Sequence, residues 1–140
     1  MQSKEKKNMI ILRLFNDEDI NEKLIEACKM YKVKTAIVIS GIGQLKKAKL
    51  GYFKEKGDYA PETYDKNLEI LSLTGNICEQ NNEYIPHLHA ILGNENKNAI
   101  GGHFIEGIVG VTAEIVLMKT DIQIERKFDD ETGLKSLYLE

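Results

Sequence analysis

The stretch Pro86-His87-Leu88-His89-Ala90-Ile91-Leu92-Gly93-Asn94-Glu95-Asn96-Lys97-Asn98-Ala99-Ile100-Gly101-Gly102-His103-Phe104 decides how this chain is read. Turn formers fill Gly93 to Asn98 between two runs of strand character, which is the pattern of a β-hairpin. Alternate residues of a strand point to one face, so His87 and His89 share a side. A hairpin centred near Asn96 pairs His89 with His103 and His87 with Ile105, and the three imidazoles then converge. Three neutral imidazoles with one position left open suit a zinc ion of the catalytic type, with Zn–N bonds of about 2.0–2.1 Å. Nickel, iron or copper would accept the same donors. Gly101 and Gly102 remove side-chain bulk just before His103, which lets an ion or ligand approach the backbone. The bland alternative is a hydrogen-bonded histidine cluster or three half-exposed strand residues.

Outward from the hairpin, strand patterns recur. Asn8 to Phe15, Lys34 to Ile42, Leu45 to Phe53, Asn67 to Thr74, Val111 to Met118 and Ile122 to Phe128 are short runs of strand formers, with His103 to Ile108 as the second arm of the hairpin. Gly75-Asn76 offers a turn into a short partner at Ile77 to Glu79, and Leu137 to Leu139 would make a last strand. Glu55 to Lys66, with Gly57 and Pro61, reads as a long exposed connection. One helix stands out: from Asp17 to about Lys32 the apolar positions Ile20, Leu24, Ala27, Cys28 and Tyr31 recur at three- and four-residue steps, and Asn16-Asp17 offers a turn and a cap. Many strands with one main helix indicate an α+β fold with a mainly antiparallel sheet. Residues 1–7 read as a flexible tail and 8–140 as one domain.

The 140 residues hold 19 Lys+Arg against 22 Asp+Glu, a formal charge of −3, the wrong sign for a bulk surface that grips nucleic acid by neutralising phosphates. A local patch at Lys46, Lys47, Lys49, Lys54 and Lys56 is more simply a solvated face. No apolar run approaches the roughly 20 residues of a membrane span, and no signal-peptide core follows the first lysines, which points to the cytoplasm. Cys28 and Cys78 lack CxxC spacing and read as packing residues of a reducing compartment.

Arg13 interrupts the apolar run Ile10 to Phe15, and a guanidinium buried there needs a partner. The two readings are an anionic ligand held by its bidentate fork or an ion pair with Glu69 or Glu114. Glu114, inside Thr112 to Leu117, would bind Arg13, orient a histidine or exchange protons. If Arg13 and the open metal position share a cavity, one small carboxylate satisfies both.

The ordered set of motifs resembles the plants-and-prokaryotes-conserved (PPC) domain family over nearly the whole chain. Asn67-Leu68-Glu69-Ile70-Leu71-Ser72-Leu73-Thr74-Gly75 is similar to the plant signature, with Asn67-Leu68 in place of its Arg-Phe. Pro86 to Ala90, Gly101-Gly102-His103-Phe104, Gly107, Thr112-Ala113-Glu114 and Asp130-Glu131-Thr132-Gly133-Leu134 complete the match. The resemblance implies an antiparallel-sheet fold related to acetolactate decarboxylase, a homotrimer, and a metal, zinc first, on His87, His89 and His103. By analogy with that decarboxylase it implies catalytic roles for Arg13 and Glu114 in a zinc-dependent, lyase-like reaction on a small carboxylate. The competing functions are a DNA-associated regulatory module, though the chain carries no AT-hook, and a structural trimer whose metal only fixes the hairpin.

Overall fold

Ile10, Leu12 and Leu14 are fully buried while Ile11, Arg13 and Phe15 face outward, the period-two alternation of a strand covered on one side. The computed structural model describes residues 1–139. Along the chain run β1 (Gln2–Lys6), β2 (Met9–Phe15), α1 (Ile20–Met30), β3 (Thr35–Glu55), β4 (Asp58–Tyr64), β5 (Leu68–Gln80), β6 (Glu83–Gly93), β7 (Ala99–Thr120), β8 (Glu125–Asp129) and β9 (Leu134–Tyr138). Seven strands form one sheet in the order β1-β2-β7-β6-β5-β3-β4, with β7 also paired to β3, and β8-β9 is a separate hairpin. Every pairing of named strands is antiparallel. The α+β fold with a mainly antiparallel sheet and one helix is therefore as the sequence indicates.

Pairing runs in a cycle from β3 to β5, β6, β7 and back to β3, so this part of the sheet closes on itself. Helix α1 packs against β6 and β7 through Ile20, Leu24, Ala27 and Cys28, joining one continuous core with Leu45, Leu73, Leu88, Leu92 and Ile115. Its cap is Asp19, whose side chain accepts from the Glu22 amide at 2.9 Å. Asp17, the expected cap, instead takes the left-handed turn position at φ 71°.

Several sequence boundaries are corrected. Residues 2–6 of the expected tail pair with β2 as strand β1. The expected strands 34–42 and 45–53 are one bent strand, as are 103–108 and 111–118, because Gly43 and Gly110, which read as terminators, sit at a bulge. Gly43 shows why: at φ +140° a Cβ there would meet the Thr112 carbonyl oxygen at 2.2 Å. The expected connection 55–66 contains β4, which accommodates Pro61 because it lies at the sheet edge. Gly75-Asn76 does not turn the chain; β5 continues to Gln80, and the turn is Asn81-Asn82, both at positive φ as a two-residue type I′ hairpin demands. The last strand is Leu134–Tyr138, earlier than the expected 137–139.

Candidate metal centre

The turn between β6 and β7 is built by Asn94, whose side chain accepts from the amides of Asn96 and Asn98 at 2.9 and 3.0 Å. That geometry puts His89 directly opposite His103 in the ladder. The pairing of β6 with β7 ends at this pair. Beyond it β7 follows β3, with His103 opposite Gly51 and Phe104 opposite Leu50, so His87 lies across from Asn76 of β5 and the expected His87–Ile105 pairing does not form. The separation of β6 from β7 opens a cavity of about 1110 Å³ lined by all three histidines.

The three rings form a nearly equilateral triangle, with centroids 5.3, 5.4 and 5.5 Å apart. Each offers one ring nitrogen, and these atoms lie within 4.8 Å of one another. A tetrahedral ion with bonds of 2.0–2.1 Å would draw them to about 3.3 Å, a movement within reach of side-chain torsions. Burial, followed by Arg126, His103 and His89, holds the His87 pKa below the usual imidazole value. Burial and His89 do the same for His103. Both effects favour the neutral imidazole, the form that carries a free lone pair for a metal.

Gly75 lets β6 come close at this point. At φ +146° a Cβ there would fall 2.1 Å from the His87 carbonyl oxygen. Tyr59 of β4 reaches the same cavity, its ring 6.3 Å from that of His103, and partial burial raises its phenol above the ordinary value.

The arginine of the cavity is Arg126, not Arg13. Arg13 is exposed on the outer face of β2, with its guanidinium 5.1 Å from the Phe15 ring centre. It stands opposite Glu114 in the ladder, but among the described residues it has no ion pair with Glu114 or Glu69. Glu114 borders a different hollow with Ile42, Glu69, Leu71 and Thr112. Within one chain neither residue lines the histidine cavity: β2 is covered on one side only, and its outward residues need no buried partner. Arg126, by contrast, is only 6% exposed and lines the cavity beside the histidines. Sequence reasoning missed it because Glu125-Arg126-Lys127 looks like an ordinary charged surface run. Tyr59 and Asn76 carry no signal either, because their segments have the sequence character of a connection and a turn.

The family model of the Plants and Prokaryotes Conserved (PCC) domain matches residues 1–121. The chain belongs to the PPC, or PCC, domain family. A PPC protein from Pyrococcus horikoshii shares 31% identity over 99% of this chain and 96% of its own, with a TM-score of 0.83. A metal-containing protein from Archaeoglobus fulgidus is 29% identical over 96% of this chain and 95% of its own, at TM-score 0.84. A Bacteroides thetaiotaomicron protein with a provisional DNA-binding label superimposes at TM-score 0.92 with 27% identity, covering 99% of this PPC domain and 96% of that chain. The bifunctional protein GlmU of a Synechococcus strain is 30% identical over 131 residues, which span 92% of this chain but 20% of that protein.

Three of the five clustered lysines are ion-paired. Lys46 pairs with Asp17, Lys47 with Glu106 at 2.9 Å and Lys54 with Asp58 at 3.5 Å, while Lys56 donates to the Asp130 carbonyl. No helix of the described residues is long and apolar enough to cross a membrane.

Proposed function

We propose that this PPC-domain protein binds one zinc ion per chain through His87, His89 and His103, and that the remaining coordination position takes a small carboxylate. The observation that carries the reading is the triangle of imidazoles lining a cavity large enough for an organic ligand. No Cys, Asp or Glu joins the three among the described residues, so the donor set is that of an open rather than a closed zinc site. The metal content of the Archaeoglobus relative supports it. Zinc bound there supplies a Lewis acid for a ligand oxygen. The Tyr59 hydroxyl, in the same cavity, offers a hydrogen bond to the ligand. A lyase-like step on that ligand is the extension suggested by the likeness to acetolactate decarboxylase. Elemental analysis of purified, zinc-reloaded protein tests the core of the reading: about one zinc per chain is expected, and no retained transition metal would refute it.

The reading includes a homotrimer in the cytoplasm. Ile11, Ile39, Ile42, Leu71 and Ile91 are 45% to 58% exposed on β2, β3, β5 and β6, more apolar surface than a solvated sheet face needs. A second reading, a DNA-associated regulatory module, is favoured by the label of the Bacteroides relative. The charge of −3 and the paired lysines weigh against it. Binding to duplex DNA that weakens steeply with salt would support it.

A further inference from the structure

The hairpin β8–β9 lies beyond residues 1–121, yet it walls the histidine cavity with Arg126, Leu134, Lys135, Ser136 and Leu137. Its position is set by β5. The Gln80 side chain accepts from the Arg126 amide at 2.9 Å and donates to the Arg126 carbonyl at 3.3 Å, so the backbone at this residue is held at both polar groups. From that anchor the guanidinium turns towards the histidines. Its Nη2 donates to the side-chain oxygen of Asn76, and Asn76 is the cross-strand partner of His87, pointing to the same face.

One donor of the guanidinium is left unsatisfied inside the protein. Its Nε–H is buried with no hydrogen-bond partner, and no carboxylate of the described residues lies within ion-pair distance of Arg126. A cation that is 6% exposed and uncompensated within the protein is costly, and an anion in the adjoining cavity removes that cost. Phe53, Ile85, Ile105, Leu134 and Leu137 give the cavity an apolar wall. A charged head beside an apolar wall describes a short monocarboxylic acid better than inorganic phosphate, whose whole surface demands hydrogen bonds.

We propose that Arg126, delivered by the β8–β9 hairpin, is the residue that recognises the carboxylate of the ligand in the histidine cavity. This rests on the metal-site reading for what sits opposite the carboxylate, but the buried guanidinium needs its anion whether or not zinc is bound. Ligand choice then belongs to the C-terminal hairpin, and the metal-binding hairpin β6–β7 is common ground on which it works.

The test is calorimetric titration of the full chain, zinc-reloaded, with propionate, 1-propanol and inorganic phosphate, alongside zinc content and thermal unfolding of every variant. Propionate should bind saturably, and propanol and phosphate should not. Arg126→Lys keeps the charge but loses the planar fork and should weaken propionate several-fold; Arg126→Met should weaken it by about tenfold or more, with zinc content unchanged. Asn76→Asp guards against a variant that fails to fold: an internal carboxylate beside the guanidinium should raise the unfolding temperature and suppress propionate binding, whereas a merely structural Arg126–Asn76 contact would leave ligand binding intact. Propionate binding that is equal in wild type, Arg126→Met and Asn76→Asp overturns the proposal, as does the absence of propionate binding, or phosphate binding in its place. Arg126-dependent binding by protein that retains no zinc after reloading would uphold Arg126, while the failure to retain zinc would refute the metal reading, so the two failures are distinguishable.

Discussion

His89 stands directly opposite His103 in the β6–β7 ladder, with the two rings 5.5 Å apart and close to perpendicular. These two imidazoles are fixed by backbone hydrogen bonding, since any slip of register by one residue would send one of them to the other face. His87 joins them from the same strand but beyond the end of the ladder, where β6 is held by β5 alone. The cluster is thus a rigid pair plus a third imidazole at the mouth of an opening.

Removing one of the rigid pair should remove the metal. His89→Ala is expected to lose zinc while keeping its fold, because His89 is exposed and packs little apolar surface. Elemental analysis with circular dichroism checks this, and full zinc retention by the triple His→Ala variant would place the metal elsewhere.

Acid should destabilise the metal-free protein. The folded pKa values of His87 and His103 lie below their ordinary 6.5, chiefly through burial, so the unfolded chain binds more protons as pH falls. Their contribution is present in full above about pH 6.5 and is lost as pH drops through the lowered folded values. Unfolding temperatures of metal-free protein from pH 8 to pH 5 should fall, and a His87→Asn, His103→Asn variant should show a flatter profile. Zinc affinity should decline over the same range, as protons compete for the lone pairs.

Gly75→Ala should be damaging out of proportion to one methyl group. The new Cβ would sit 2.1 Å from the His87 carbonyl oxygen and 2.9 Å from the Leu88 Cα, at a φ of +146° that alanine rarely adopts. A loss of about 1–3 kcal/mol in urea unfolding, together with weaker zinc binding, is expected. An unchanged midpoint would show that the β5–β6 contact is loose.

The outer sheet face should carry the assembly. Light scattering is expected to give the mass of three chains, and Ile42→Glu with Leu71→Glu should lower it to one chain without loss of zinc. Arg13→Met, on the same outer side as these residues, should leave both zinc content and propionate binding as in wild type. A monomeric wild type at micromolar concentration would remove the trimer.

Cys28 should be inert in the folded protein. Burial pushes its thiol up to about 12, so almost no thiolate exists at neutral pH. Native protein should react with a thiol reagent only at the rate of opening, and urea should expose both Cys28 and Cys78, which are free and buried.

The sequence by itself determined those features that depend on local spacing. The i, i+2 step of His87 and His89, the Asn-rich turn and the equal reach to His103 specify the histidine triangle, because strand periodicity and hairpin register are short-range rules. The same holds for α1, where apolar steps of three and four residues mark the buried side. Which glycines bend a strand and which end it was not legible, since Gly43 and Gly75 differ from turn glycines only in having another strand's carbonyl against them. Above all, the sequence could show that a buried arginine beside three histidines would need an anion, yet not which arginine is buried. Arg13 sits in an apolar run but faces outward; Arg126 sits in a charged run but is folded against Asn76 and Gln80, residues 50 and 46 positions away. Burial is a property of what packs on top, and only the closure of the sheet and the docking of β8–β9 over its mouth decided that.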